Sequence, residues 1–254
     1  MLIESLWRYP VKGMSGEQID ETPLMPGQPI SGDRRYAISI GGDKVANSPA
    51  DTWFKKAHFL QLMSHEALAT LNCIVNDDHI KISKGNNQLL QANLRDDNGL
   101  AAVEAFFMSY MNEHMPGRLH GIPKVVTLDT QAFTDTQAPW ISLGGSASVE
   151  AYASATNTKP DARRFRLNIM LKTNDAFSEA SLIGKDIKVG TAHLRVVAPV
   201  GRCAAIDVDP ETATRNHDTL SVMRAQFGHT NLGVFAEIIS SGTVRTGDTI
   251  TVLK

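Results

Sequence analysis

The sequence predicts a mainly β protein of β-barrel type with a few helices. Most of the chain consists of short apolar and β-branched runs separated by Gly, Pro, Asn and Asp, the residues typical of turns. The tetrapeptide at residues 76–79 separates two such runs and predicts a hairpin, because Asn and Asp tolerate the positive φ of a tight turn. A turn over residues 242–248 precedes a terminal strand, which is a common way to close a barrel.

Strands are expected along the whole chain and helices in three places. The predicted strands are residues 2–8, 35–40, 73–75, 80–83, 88–93, 124–128, 165–171, 187–197, 204–208, 233–239 and 249–253. The predicted helices are residues 99–114, before Pro116-Gly117, and a short one from Ser146 or Ser148 to Ala155. Residues 53–71 fit two interpretations, either one helix or a strand over residues 59–63 followed by a short helix capped by Ser64.

Length and composition indicate a globular chain without unusual partners. The 254 residues are enough for one large domain or two small ones, with the best boundary at the Pro/Gly-rich residues 116–139. A net charge of −2 argues against nucleic-acid and anionic-membrane partners, which favour a basic surface. No apolar run approaches the roughly 20 residues of a spanning helix, and Glu4 interrupts the stretch that a signal peptide would keep apolar. We therefore expect a cytoplasmic protein without a membrane or nucleic-acid partner.

Several catalytic motifs are absent from the sequence or incomplete in it. Cys73 and Cys203 form no C-x-x-C, zinc-type or ferredoxin-type pattern, so an iron–sulfur cluster that supplies electrons would have to lie on another chain. Residues 144–148 resemble a nucleophile elbow but lack its closing glycine. The sequence also contains neither a Walker A loop nor a G-x-G-x-x-G loop.

What remains is a set of basic residues at strand ends, together with one cysteine. They are Lys12, Arg34 with Arg35, Arg164 with Arg166, and Arg202 next to Cys203. Arg164 and Arg166 alternate with Phe165, so a strand there would point both arginines to one face. Arginine forks bind phosphate through paired hydrogen bonds, and lysine supplies a point charge. The set therefore suits a ligand that carries a phosphate.

The cysteine adds a second kind of chemistry to this set. Because Arg202 is a neighbouring cation, Cys203 should ionise more readily than an isolated cysteine. A thiolate is the side chain that a sulfur-ligated transition metal takes. Spacing alone leaves a second interpretation open, in which each charge is a solvated side chain and Cys203 is a small buried hydrophobe.

Five stretches together resemble the MOSC superfamily, named for the C-terminal domain of molybdenum cofactor sulfurase, in the class with an N-terminal MOSC β-barrel extension. The stretches are LWRYPVKG, Gly32-Asp33-Arg34, RRFRLNIML, GRCAAIDVDPETA and FGHTNLGVFAEIISSGTVRTGD. They follow the order of the family over nearly the full chain. The resemblance implies an N-terminal MOSC-like β-barrel domain at residues 1–120 and a MOSC β-barrel domain at residues 121–254. A molybdenum cofactor (Mo-molybdopterin) would be bound between them.

The resemblance also implies roles for individual residues. The motif cysteine, here Cys203, would be the protein ligand to molybdenum and the catalytic residue. The residues implied to contact the cofactor are Lys12, Arg34, Arg166 and Asn168, with Arg202 at the pterin and Asn231 as a further candidate. A T-A-R segment that is common in the family is replaced by Val45-Ala-Asn-Ser-Pro, so Lys55 or Lys56 would supply the missing cation.

The similar proteins of known activity are amidoxime-reducing enzymes, which implies an oxidoreductase that reduces N-hydroxylated or N-oxide substrates. Its electrons would come from a separate redox protein of ferredoxin, flavodoxin or cytochrome type, and pyridoxal phosphate is not expected. One alternative is a carrier of molybdenum cofactor or of persulfide sulfur on Cys203, without turnover. Another is a barrel that has lost its cofactor and serves as a binding module.

The sequence departs from the usual family motifs at three positions. Gly13 follows Lys12 where the family often has serine, and Gly201 replaces the serine before Arg202. Each change removes a hydroxyl contact, although a backbone N–H could substitute for the second. Leu167 replaces a proline, which frees φ at that position.

Overall fold

The computed structural model describes residues 1–49, 51–216 and 218–253 and has a mainly β fold, as predicted. The strands are β1 (Leu2–Arg8), β2 (Glu17–Ile19), β3 (Glu21–Leu24), β4 (Tyr36–Ile38), β5 (Asn72–Asn76), β6 (His79–Lys84), β7 (Asn87–Asn93), β8 (Val125–Thr127), β9 (Ile141–Gly145), β10 (Ile169–Lys172), β11 (Asp186–Val189), β12 (Ala192–Gly201), β13 (Asn231–Ser240), β14 (Gly242–Arg245) and β15 (Ile250–Val252). The α-helices are α1 (Asp43–Ala46), α2 (Asp97–His114), α3 (Ser146–Thr156) and α4 (Thr219–Phe227). Short 3₁₀ helices cover Lys56–His58, Glu66–Thr70, Ala162–Phe165, Ser178–Leu182 and Ala204–Asp207.

An eight-stranded sheet in the order β15-β11-β12-β13-β9-β10-β1-β2 forms most of the fold. All its neighbours are antiparallel except β9 and β10. The sheet curls so that its first strand meets its last segment, where the Ile3 N–H donates to the carbonyl of Asp248 at 2.8 Å. The terminal strand therefore closes the curled sheet onto β1, as expected. The turn predicted over residues 242–248 is wrong in its extent, because residues 242–245 form β14 against β3 and only residues 246–247 turn.

Two large apolar clusters occupy different parts of the molecule. Alternating residues of the eight-stranded sheet, such as Leu143, Leu194 and Val234, point into one of them. The other lies between the three-stranded meander β5-β6-β7 and α2, whose inner face carries Val103 and Phe107. Strands β1 and β2 belong to the same sheet as the C-terminal strands, and the division of the chain at residue 120 stays a prediction.

Several local predictions are confirmed by the structure. The hairpin between β5 and β6 has Asp77 and Asp78 at φ of 47° and 65°. Helix α2 fills the predicted range and begins two residues earlier, because Asp96 caps it by accepting from the Gly99 N–H at 2.7 Å. Of the helices described here, none has the length and hydropathy needed to cross a membrane.

Other local predictions are wrong, chiefly where tertiary contacts hold short 3₁₀ helices. The strands predicted at residues 165–171 and 204–208 begin instead as the 3₁₀ helices Ala162–Phe165 and Ala204–Asp207. Asp161 caps the first of these helices by accepting from the Arg163 N–H, so the strand alternation predicted for Arg164 and Arg166 does not occur.

The predicted strand at residues 187–197 is a tight hairpin of β11 and β12. Residues 53–71 form neither a long helix nor a strand, but two 3₁₀ helices, and Ser64 caps neither of them. Helix α3 begins where predicted, yet neither serine caps it. Ser146 Oγ accepts from the Thr173 N–H, and the Ser148 hydroxyl donates to Glu179 at 2.8 Å.

Candidate functional site

A cavity of about 280 Å³ lies beside the end of β12, and chain segments far apart in sequence meet around it. Its lining includes most of the candidate residues from the sequence, namely Lys12, Arg34, Lys56, Arg166, Asn168, Arg202 and Cys203, but not Asn231, Arg35 or Lys55. Among the described residues that line the cavity, six are basic and one, Asp135, is acidic. The cavity is therefore strongly cationic and contains a thiol.

One side of the cavity carries two lysines that share a carboxylate. Lys12, buried just after β1, donates from Nζ to the carbonyl of Phe133 at 2.8 Å and to Oδ1 of Asp135 at 3.1 Å. Lys56, in its 3₁₀ helix, donates from Nζ to Oδ2 of Asp135 at 2.8 Å. We call these three residues the lysine side of the cavity.

The charges on the lysine side shift the affinities of its groups for protons. Burial lowers the pKa of Lys12 to about 8, although Asp135 opposes the shift. Burial raises the pKa of Asp135, but the charges of Lys12 and Lys56 outweigh it and hold that pKa at about 2. Burial also lowers the pKa of Lys56, but Asp135 and then Cys203 raise it by more, so the pKa of Lys56 lies above its ordinary value. Asp135 is thus ionised at neutral pH.

The other side of the cavity consists of arginines whose hydrogen bonds go mainly to the main chain. Arg34 donates from Nη2 to the carbonyl of Arg166 at 2.7 Å and from Nη1 to the Asp33 carboxylate at 2.5 Å. Arg202 donates from Nη1 to the carbonyl of Phe165 at 2.7 Å and from Nε to the carbonyl of Leu232 at 2.9 Å. We call Arg34, Arg166 and Arg202 the arginine side.

Tyr9 lies between two of these arginines and fixes their planes. The guanidinium carbons of Arg34 and Arg166 lie 4.7 and 4.4 Å from its ring centroid. Arg166 donates from Nη1 to the carbonyl of Met14, while its buried Nη2 has no hydrogen-bond partner among the described residues. Burial and then the nearby charge of Arg34 lower the pKa of Arg166 to about 10. This unsatisfied cation is a direct sign of a position for an anion.

Cys203 stands at the junction of β12 and the 3₁₀ helix Ala204–Asp207, with its free thiol half-buried. Arg164 holds this helix, since its Nη1 donates to the carbonyl of Ile206 at 3.2 Å and its Nη2 to Asp209 at 2.7 Å. The thiol is therefore presented by a short turn that a buried arginine anchors.

Two of the candidate residues have evident structural partners. The Asn168 side-chain oxygen accepts from the hydroxyl of Ser142 at 2.9 Å, and its Nδ2 donates to the carbonyl of Trp7 at 3.3 Å. These bonds tie β1, β9 and β10 together at the edge of the cavity. Asn231 pairs with Gly201 at the start of β13, outside the lining of the cavity.

The sequence analysis missed Asp135 and gave Arg164 the wrong setting. Asp135 is a single acidic residue in a segment without a strand or helix, and no spacing rule relates it to Lys12 or Lys56. Arg164 lies outside the turn that carries Cys203 and anchors that turn through the carbonyl of Ile206. Only the folded chain shows this relation. Among the described residues, no group of three or more His, Cys, Asp and Glu side chains could hold a metal ion.

The fold and this cavity define a mainly β protein with a cationic site that contains a thiol. The MOSC domain family model matches residues 132–251, which include Asp135, both cavity strands β12 and β13, and Cys203. Residues 132–251 are therefore similar to the MOSC domain family.

Similar proteins of known name are molybdenum cofactor sulfurases. The protein from Drosophila ananassae is 34% identical over 94 residues, which cover 35% of this chain and 12% of that protein. The protein from Danio rerio is 30% identical over 80 residues, which cover 31% of this chain and 9% of that protein. The matched part is thus about a tenth of the length of these relatives.

Solved structures with low overall similarity include two bacterial proteins. YiiM from Geobacillus stearothermophilus has a TM-score of 0.36 and 17% identity, and the match covers 45% of this chain and 54% of that chain. The YUAD protein from Bacillus subtilis has a TM-score of 0.44 and 12% identity, and the match covers 98% of this chain and 92% of that chain.

Proposed function

We propose that this chain binds Mo-molybdopterin in the cavity, with the Cys203 thiolate as the protein ligand to molybdenum, and acts as an oxidoreductase. Its substrates would be N-hydroxylated or N-oxide compounds, and a separate redox protein would donate the electrons. The observation that carries the proposal is a free thiol in a cavity lined by six basic residues and one acidic residue. The cytoplasmic location and the absence of membrane and nucleic-acid partners stay predictions from the sequence.

The residues of the cavity fit such a cofactor in charge and in donor type. A phosphate group would neutralise part of the cationic lining, to which Lys12, Lys56 and Arg166 contribute. The buried Nη2 of Arg166 lacks a partner among the described residues, and a phosphate oxygen would satisfy it. A thiolate at Cys203 matches the preference of molybdenum for sulfur.

The chain itself would bind, orient and shield the cofactor. The cations would hold its phosphate, and the turn at Ala204–Asp207 would present the Cys203 sulfur at a fixed position. The bound cofactor would supply the two-electron redox chemistry. Arg202, fixed by two main-chain carbonyls beside Cys203, would keep positive charge next to the thiolate.

The test is the cofactor content of a Cys203→Ser variant against a matched thiol control. Cys73→Ala removes the other cysteine, which is buried in the apolar cluster under the meander, where burial raises the pKa of its thiol to about 12. We expect Cys203→Ser to lose most of its molybdenum and its metal spectrum, while Cys73→Ala retains both. Equal molybdenum occupancy and unchanged metal spectra in Cys203→Ser would rule out the ligand role.

The second candidate function is a carrier of molybdenum cofactor or of persulfide sulfur. The half-buried thiol of Cys203 favours it as well, because an accessible thiolate beside Lys56 could carry sulfur. Steady reduction of benzamidoxime with an artificial electron donor would support the enzyme. Labile sulfur on Cys203 in metal-free protein, without turnover, would support the carrier.

A further inference from the structure

The carboxylate of Asp135 is an anion built into the cationic cavity. It accepts from Lys12 at 3.1 Å and from Lys56 at 2.8 Å, so it bridges both lysines of the cavity. Residues 128–140, which carry it, form no strand or helix, and its side chain is 53% exposed against 9% for Lys12. The carboxylate can therefore swing to solvent at little cost to the fold, whereas the buried lysine cannot.

The donors on the arginine side have much less freedom to exchange partners. Arg202 donates to main-chain carbonyls, and Arg34 donates to one main-chain carbonyl and to the buried Asp33 carboxylate, all of which the fold holds in place. The donors that can turn to a ligand are the two lysine ammonium groups and the unpartnered Nη2 of Arg166. Asp135 and Arg166 are close enough for the carboxylate to raise the pKa of the arginine. The two lysine donors thus hold the Asp135 carboxylate, while Nη2 of Arg166 has no partner among the described residues.

We propose that Asp135 is a displaceable internal counter-ion: its carboxylate occupies an oxyanion subsite formed by Lys12 and Lys56, and the phosphate group of a ligand takes its place. The inference rests on the proposed function, because it assumes a ligand that carries a phosphate. Asp135 belongs to the segment matched by the MOSC family model, whereas Lys12 and Lys56 precede that segment, so displacement also breaks a contact between the two parts.

An internal counter-ion has a measurable effect on anion affinity. Every anion that enters the subsite must first displace the carboxylate. The apparent affinity is therefore the intrinsic affinity multiplied by the fraction of molecules in which the subsite is free. The carboxylate also repels an incoming phosphate through its own charge. Replacing Asp135 with a neutral isostere should remove both effects and tighten anion binding.

The experiment measures inorganic phosphate binding by calorimetry to full-length protein produced in a host that makes no molybdenum cofactor. We expect Asp135→Asn to bind phosphate about tenfold more tightly than the wild type. Asp129→Asn is the matched control, because it removes the same charge at an exposed carboxylate that pairs with Arg35 outside the cavity lining. It should change the affinity by about twofold at most. Unchanged or weaker phosphate binding by Asp135→Asn overturns the proposal.

A second variant keeps the test decisive if Asp135→Asn does not fold. Lys56 lies in a short 3₁₀ helix with its side chain 31% exposed, so Lys56→Gln should fold. We expect it to weaken phosphate binding about tenfold, since a charge-assisted hydrogen bond is lost. If Lys56→Gln binds phosphate as tightly as the wild type does, the proposed oxyanion subsite is also refuted.

Thermal unfolding separates the counter-ion from a purely structural residue. Without phosphate, Asp135→Asn should melt below the wild type, because Lys12 and Lys56 lose their shared counter-charge. With saturating phosphate the difference should shrink or reverse, since the variant binds the ligand more tightly. A constant difference in melting temperature would indicate a structural role and contradict the proposal.

Failure of this inference can be told apart from failure of the proposed function. Protein from a host that makes the cofactor is analysed for pterin in parallel. If the wild type carries the pterin but Asp135→Asn gains no phosphate affinity, the counter-ion proposal is refuted and the proposed function stands. A wild type that binds neither pterin nor phosphate removes both.

Discussion

The lysine side and the arginine side of the cavity are both cationic, yet their charges are held in different ways. Lys12 and Lys56 are paired through one carboxylate on an irregular segment. Arg202 is held by main-chain carbonyls, and Arg34 by one main-chain carbonyl and the buried Asp33 carboxylate next to it in the chain. A side-chain partner can be exchanged by rotation, whereas a main-chain carbonyl moves only with the fold.

This difference assigns the two sides different tasks. The arginine side should contribute mostly to stability and to a fixed positive potential, so its loss should disturb folding before binding. The lysine side should contribute mostly to ligand exchange, so its changes should appear in anion affinity and in pH dependence.

Arg202→Met should be the most destabilising of these changes. It removes three hydrogen bonds to the carbonyls of Phe165 and Leu232, which stay buried without a donor. We expect the free energy of unfolding to fall by about 3–5 kcal/mol, measured by urea denaturation.

The control for this change is Arg245→Met, which breaks an exposed ion pair with Glu21. It should lower the free energy of unfolding by about 0.5 kcal/mol or less. Similar losses in Arg202→Met and Arg245→Met would mean that the arginine side is not structural.

The two glycines that stand where the family often has serine should differ in how much stability a serine costs, one on each side of the cavity. Gly13, after Lys12, has a φ of 79°, and a Cβ there would lie 2.6 Å from the carbonyl oxygen of Leu60. Gly13→Ser should therefore lower the free energy of unfolding by about 2 kcal/mol or more.

At Gly201, beside Arg202, a Cβ would meet Asn231 Oδ1 only at 3.7 Å, an ordinary contact distance. Gly201→Ser should fold with a loss of about 0.5 kcal/mol or less. Urea denaturation of both variants checks the pair. Equal losses would show that the backbone does not explain why glycine stands at position 13.

These glycines also show how far the sequence could predict the site. The motifs identified Gly13 and Gly201 as departures of the same kind, each a missing hydroxyl. The structure shows that only Gly13 is required by its backbone, because its φ is positive and a main-chain oxygen lies where a Cβ would be. Both facts depend on how the residues 59–61 pack against it, which no local pattern contains.

The fold could be predicted where local signals and tertiary packing agree. Asn and Asp at the tip of the β5–β6 hairpin, and the apolar stripe of α2, determine their structure locally. The 3₁₀ helices beside the cavity depend instead on distant partners, such as the Arg164 side chain that bonds the carbonyl of Ile206. Arg166 takes a φ of 52°, which no strand pattern predicts. The sequence therefore named most cavity residues, but not the turns that bring them together.

The pH dependence of stability tests the lysine side directly. Burial holds the pKa of Lys12 at about 8 in the folded chain, against 10.5 for an exposed lysine. Once the pH passes the folded pKa of about 8, the unfolded chain binds more protons at this lysine than the folded chain, so the free energy of unfolding rises with pH. Between about pH 7.5 and about pH 9 this rise should be about 1 kcal/mol in the wild type. Lys12→Met should lack it in urea denaturation across this range.

Phosphate sharpens this last prediction, because a bound dianion would favour the charged form of Lys12. The wild type with saturating phosphate should therefore lose the rise in stability, as its folded pKa returns toward that of an exposed lysine. Lys12→Met should be insensitive to phosphate in this respect. An equal rise in both proteins would place the titrating group elsewhere, and the lysine side would then be as fixed as the arginine side.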